Sequence, residues 1–166
     1  RFSDLDVVDQ AAKVQKGKGE FTLSTRPNNV AIAMAFDAAG VQASEADLTD
    51  LVMRGKVKLL NDEGHVEFTQ STASIAYPML AQPLTKQSMG TKLTYVRGGD
   101  ATLESFVVHL PSLAAVLKAK GTIGEIDDVI EEERFADKTL AGIKAEFSSQ
   151  LDLSAPTNAK LLKGND

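Results

Sequence analysis

The sequence predicts a mainly β protein: an antiparallel, jelly-roll-like β-sandwich over residues 20–110, followed by a helical region over 111–153. Three observations lead there. Val30–Phe36 reads Val-Ala-Ile-Ala-Met-Ala-Phe, which puts Val30, Ile32, Met34 and Phe36 on one face of a strand and Ala31, Ala33 and Ala35 on the other. Turn residues punctuate the alternating runs at Pro27-Asn28-Asn29, Asn61-Asp62-Glu63-Gly64 and Arg97-Gly98-Gly99-Asp100. Beyond Pro111 the apolar residues recur at three- and four-residue intervals instead. The competing arrangement is α+β, with those helices packed on one open antiparallel sheet. In either case the 166 residues make a single domain, long enough to bury a core.

Residues 1–19 read as an N-terminal arm or short helix, carrying Leu5, Val7, Val8, Ala11, Ala12 and Val14 and broken by Lys16-Gly17-Lys18-Gly19. Phe21 and Leu23 alternate with Thr22 and Ser24, a short strand ahead of the long one. The alanine face of Val30–Phe36 implies a close cover from a second sheet edge, the C-terminal helices or a neighbouring subunit. Ser44-Glu45-Ala46-Asp47 resembles a capping box and predicts a turn or two of helix through Leu48, Leu51 and Val52, ended by Gly55. Lys56–Leu59 and His65–Phe68 form a hairpin, and Ser74–Tyr77 is extended as far as Pro78. Pro78–Gly90 reads as a long loop, and Lys92–Val96 with Thr102–Leu110 as a second hairpin. Ser112 caps an expected helix through Leu113, Val116 and Leu117 that closes at Gly121. Ile126, Val129, Ile130 and Phe135 continue helical spacing, and Asp137 opens a last helix through Leu140, Ile143, Phe147 and Leu151. Residues 154–166 form a polar tail. No repeat or low-complexity tract is present.

A net charge of -5 argues against a general nucleic-acid binder, which needs a basic surface. The chain has no cysteine, so it holds no disulfide, thiolate metal site or cysteine nucleophile. No apolar run approaches the ~20 residues of a membrane-spanning helix. The first residue is Arg1 rather than methionine, so the chain is processed, trimmed or incompletely represented. Aromatic residues make up 5% with no tryptophan, and Phe21, Phe36, Phe68 and Phe106 fall on expected core faces. That disfavours sugar-stacking and single-strand nucleic-acid platforms.

Candidate chemistry is sparse. Only His65 and His109 offer imidazoles; His109 sits in the apolar run Phe106–Leu110 and His65 beside a turn. An enzyme using His109 with a carboxylate is a third, minority alternative, since the acid partner it needs is not placed by the sequence, and two histidines this far apart do not make a zinc site, which needs three or four convergent ligands. The acidic run Glu125, Asp127, Asp128, Glu131, Glu132 and Glu133 lacks the spacing and central glycine of a calcium loop and reads as a solvated helix face. A contact between that run and Lys13, Lys16, Lys18 and Arg26 of a neighbouring copy is the other expectation. Lys16-Gly17-Lys18-Gly19-Glu20 has the wrong spacing for a phosphate loop. The expectation is therefore no enzyme, with no catalytic, cofactor or metal residues.

From Phe21 to Phe68 the order of runs resembles the opening half of a jelly roll in capsid proteins of tailless, membrane-containing bacteriophages. The likeness rests on Phe21-Thr22-Leu23, Val30–Phe36, Gly40, Ala46-Asp47-Leu48-Thr49-Asp50 and Gly55-Lys56-Val57-Lys58-Leu59. It covers about a third of the chain, and the major capsid proteins of that group carry two jelly rolls. What it implies is a structural subunit of a virion, assembled in a host cytoplasm through contacts with copies of itself and other virion proteins, without catalysis. The alternative is a small ligand-binding or adaptor domain of a soluble bacterial complex, placed in the cytoplasm.

Overall fold

The computed structural model describes residues 1–8, 12–43, 45–124 and 144–151. Nine strands follow one another: β1 (Phe2–Val8), β2 (Ala12–Arg26), β3 (Asn29–Ala43), β4 (Ala46–Leu60), β5 (Glu63–Ala76), β6 (Leu84–Val96), β7 (Ala101–Leu110), β8 (Ala115–Ile123) and β9 (Lys144–Leu151). Each pairs antiparallel with its neighbour in sequence, giving one sheet of order β1-β2-β3-β4-β5-β6-β7-β8-β9. Tight connections suffice for such a meander. Asn28 and Asn61 take left-handed backbone (φ 57 and 53) in two-residue turns, and Gly98 does so (φ 69) between β6 and β7.

Among the described residues, no second layer covers the sheet. The buried apolar residues are Ala38, Leu51, Ala101 and Ala115, and no side chain is fully enclosed. Among the described residues, the sandwich expected from the sequence is absent, and the expected helical region over 111–153 is not helical: its single helical element is the 3-10 turn Pro111–Leu113, after which Ala115–Ile123 and Lys144–Leu151 run as strands. Residues 125–143, which include the acidic run and Leu140, and the tail from 152 lie outside the described residues. The α+β alternative fails on the same ground. Nor is 1–19 an unpaired arm or helix, because its described parts belong to β1 and β2. The expected 78–90 loop shortens to the residues between Ala76 and Leu84.

The expected helix at Leu48, Leu51 and Val52 is also a strand, and the misleading spacing has a specific source. Lys16, Asp50 and Lys86, on β2, β4 and β6, have φ of 51, 50 and 54. Continuing the ladder offsets places them in one transverse row with Ala39 of β3 and Ala73 of β5, the row at which the pairing is interrupted. Beyond it the partners resume at unchanged offset: Gly40↔Thr49 follows Ala38↔Leu51, and Ser74↔Thr85 follows Thr72↔Gln87. One residue per strand is spent at this crease, so register survives while the side-chain alternation slips by one. The apolar pattern slips with it. Val30, Ile32, Met34 and Phe36 give way to Val41, and Leu59, Val57 and Met53 to Leu48. Spacings of three, such as Leu48 to Leu51, arise from that slip and imitate helix periodicity.

The row beside the crease, Gly17, Ala38, Leu51, Thr72 and Gln87, is buried throughout. Thr72 closes part of the break, its hydroxyl oxygen lying 2.7 Å from the Thr49 carbonyl and 3.0 Å from that of Ser74. A second irregularity is a bulge in β7, where Leu103 and Phe106 face consecutive same-face residues of β6.

Candidate apolar binding face

Residues directly opposite across a ladder point to the same side, so the registers assign the described side chains of β2–β9 to faces. One row runs Leu23, Ile32, Val57, Val66, Leu93, Leu103. The next runs Phe21, Met34, Gly55, Phe68, Thr91, Phe106, Ala119, Phe147. A third contains Phe36, Met53, Gln70, Met89, Val108 and Leu117. All three belong to one side. Nine strands at about 4.8 Å spacing and eight residues of strand length make this face roughly 1,000 Å². Ordinary monomers rarely leave so large an apolar patch open.

Among the described residues, nothing covers the face. Phe147 is 81% exposed, Phe21 61%, Leu23 56% and Met34 47%. Toward β1 the Phe2 ring occupies the space above Gly19 and lies 6.3 Å from the Phe36 ring, centroid to centroid. Met34 lies against Gly55, where an added Cβ would stand 2.8 Å from the Met34 Cγ. Further along, the middle row alternates bulky and small: Phe68, Thr91, Phe106, Ala119, Phe147. Thr91 on β6 thus lies in a furrow between two phenyl groups, roughly 10 Å apart from strand to strand.

At the crease end of that furrow, Gln87 is 8% exposed, and its Nε2 is buried with no hydrogen-bond partner among the described residues. Leaving such a donor unpaired costs about 1–3 kcal/mol. Thr72, directly across the ladder from Gln87, already serves the Thr49 and Ser74 carbonyls.

The opposite face is polar. Thr22, Ala33, Lys56, Glu67, Lys92 and Ser105 form one of its rows, with Lys92 Nζ 3.2 Å from Glu67 Oε1. Ala31, Ala33 and Ala35 make a shallow trough here, bordered by Thr22 and Lys56. The close cover expected over these alanines is not found: Ala33 is exposed, and Phe147 belongs to the other side of the sheet. Arg54 pairs with Asp37 and donates to the Met53 carbonyl at 2.8 Å. The Asp37 hydrogen bond, aided by its charge and opposed by slight desolvation, raises the guanidinium pKa above its ordinary value.

The residues weighed for chemistry do not converge. His65 lies on the polar face, its Nε2 3.1 Å from Glu63 Oε1 and its Nδ1 3.4 Å from Thr94 Oγ1. His109 pairs in register with Ser88 and Val116, several rows away. No group of three or more His, Asp or Glu side chains able to hold a metal occurs among the described residues. Lys13, Lys16, Lys18 and Arg26 spread along β2, while their expected acidic counterpart is outside the described residues. Gln87 was missed because an isolated glutamine in a polar run carries no pattern. The face itself was missed because its strands were assigned to two sheets packed together.

No protein-family model matches the chain, and no curated protein or solved structure matches it either. Among the described residues, no helix is long and apolar enough to cross a membrane.

Proposed function

We propose that this protein is a non-enzymatic binding protein that holds an apolar partner on the uncovered face of its sheet. The observation that carries this reading is the one-sidedness of the consecutive strands β2–β9. Apolar side chains collect on one side and Lys, Arg, Glu, Ser and Thr on the other, with no layer over the apolar side among the described residues. Burying even half of about 1,000 Å² at ~25 cal/mol per Å² amounts to about 12 kcal/mol before association and ordering costs, so a complement is strongly favoured. The virion-subunit expectation leaned on a jelly-roll likeness over 20–68, and those residues form four strands of a meander. The ligand-binding alternative needs no such fold and fits the open face better.

The test is a neutral fluorescent hydrocarbon probe, N-phenyl-1-naphthylamine, titrated into the protein. Enhanced emission that disappears in Phe68→Glu and Val66→Glu, with β circular dichroism retained, supports the reading. No probe binding by the intact, folded protein overturns it.

A further inference from the structure

We infer that the occupant of the face is a second copy of this chain, packed face to face about a two-fold axis that runs along the strands between β6 and β7. The inference rests on the apolar-binding reading above and names its partner. Its first support is the order of side-chain sizes across the sheet. Such an axis leaves position along the strands unchanged and reverses their order, so β6 of one copy lies over β7 of the other, β5 over β8 and β4 over β9. Large residues then meet small ones. In the middle row Phe106 comes over Thr91 of the second copy, and Phe68 over Ala119. Phe147 comes over Gly55, where the Met34 side chain lies, and a flexible thioether can yield to a ring. In the next row Val57 comes over Ala145, while Leu93 and Leu103 meet beside the axis. Two packed sheets interdigitate in this way, bulky residues of one inner face entering the gaps of the other.

Other axes fail on the same residues. An axis along β6 sets Phe68 over Phe106, and one between β5 and β6 sets Phe21 over Phe147, the two most exposed rings of the row. An axis across the strands, through the middle row, sets Phe68 and Phe106 each over its own copy. A hydrocarbon ligand fills one furrow and places no demand on the order of sizes over six strands, whereas a reversed copy does. The second support is area. Strands β4–β9 alone, at about 4.8 Å spacing and eight residues of strand length, offer roughly 700 Å² per copy, or about 1,400 Å² in all. Specific, stable protein interfaces bury ~1,200–2,000 Å².

The experiment is sedimentation velocity with N-phenyl-1-naphthylamine emission read alongside, at about 0.2 and about 50 µM chain, either side of the micromolar dissociation expected here. The natural chain is compared with Thr91→Phe, which puts a ring where Phe106 of the second copy must sit and keeps the face apolar. The size swap Thr91→Phe/Phe106→Thr restores the complement, and Thr91→Phe/Phe68→Thr is its control. β circular dichroism checks that each variant folds, and Ala119→Phe, opposed by Phe68, replaces Thr91→Phe if that chain does not. The expected result is a natural dimer at the higher concentration that sheds the probe it binds as monomer at the lower one. Thr91→Phe should dimerise at least tenfold more weakly and bind the probe at both concentrations, with dimerisation restored by the Phe106→Thr swap and not by Phe68→Thr. Equal dimerisation of the natural chain and Thr91→Phe overturns this arrangement, as does rescue by Phe68→Thr alone. A natural chain that stays monomeric at the higher concentration while binding the probe overturns the dimer and leaves the apolar-binding reading standing. A monomeric chain without probe emission overturns both.

Discussion

Replacing Lys86 by glycine should stabilise this protein, although glycine inside a strand ordinarily weakens it. Lys86 has φ 54 within β6 and an exposed side chain, so truncation removes little packing. Holding a residue with a Cβ in left-handed backbone costs roughly 1–2 kcal/mol, whereas glycine's extra chain entropy costs about 0.5–1 kcal/mol. The difference predicts a net gain of about 0.5–1 kcal/mol. Lys92→Gly, six residues along the same strand, is the control. It loses strand propensity and the 3.2 Å pair with Glu67, and should cost about 1 kcal/mol. Urea unfolding followed by circular dichroism reads both: a gain of 1 kcal/mol moves the midpoint up by about 0.5 M at a typical slope. Lys16→Gly and Asp50→Gly lie on alternate strands roughly 10 Å apart, so their smaller gains should add to that of Lys86→Gly. If Lys86→Gly destabilises the chain as much as Lys92→Gly does, the crease is not built from left-handed residues and the phase-slip account fails.

Ala33→Leu, which would cost 1–3 kcal/mol under a tightly packed cover, should change stability by less than about 0.5 kcal/mol because the residue faces solvent; thermal melts decide this. Gly121→Val should cost about 1–3 kcal/mol and release β9 to proteolysis, since a Cβ at Gly121 would stand 3.0 Å from the Ala145 Cα, a backbone atom. Gln87→Met should raise the stability of the ligand-free protein by about 1 kcal/mol by removing a buried unpaired donor, read as a higher urea midpoint. Arg54 keeps its proton beyond its ordinary range, so its share of the Asp37 pairing is present below the unfolded arginine pKa and lost only as pH rises through the raised folded value. Titration with alkali to about pH 10 should therefore show no loss of stability relieved by Arg54→Ala.

How much of this was legible in the sequence varies from element to element. Val30–Phe36 and Lys56–Leu59 show period-two alternation without interruption, and both are strands. Pro27-Asn28 and Asn61-Asp62 carry turn residues suited to left-handed backbone, and both are hairpin turns. Leu48–Val52 and Val116–Leu117 misled. The first straddles the crease, where alternation slips; the second follows Pro111 and Ser112, which form a single 3-10 turn without a side-chain cap, the Ser112 hydroxyl oxygen instead accepting from the Thr85 backbone N–H at 2.6 Å. The candidate site divides the same way. Phe21, Phe36, Phe68 and Phe106 read as strand core, Leu117 and Phe147 read as helical and Met89 as loop, while Gln87 matters only through the row it shares with Thr72.

The sequence by itself determined the alternation and the one apolar side of Val30–Phe36, Lys56–Leu59 and His65–Phe68, and the reversals between them, because these follow from neighbours along the chain. The tertiary structure decided that those sides join in one layer, with no second sheet among the described residues. It also decided that the breaks in β2, β4 and β6 align in one crease. The physical reason is that register and layering belong to pairs of strands. A slip that reads as helical spacing in an isolated segment becomes a regular feature only when the strand beside it slips at the same row.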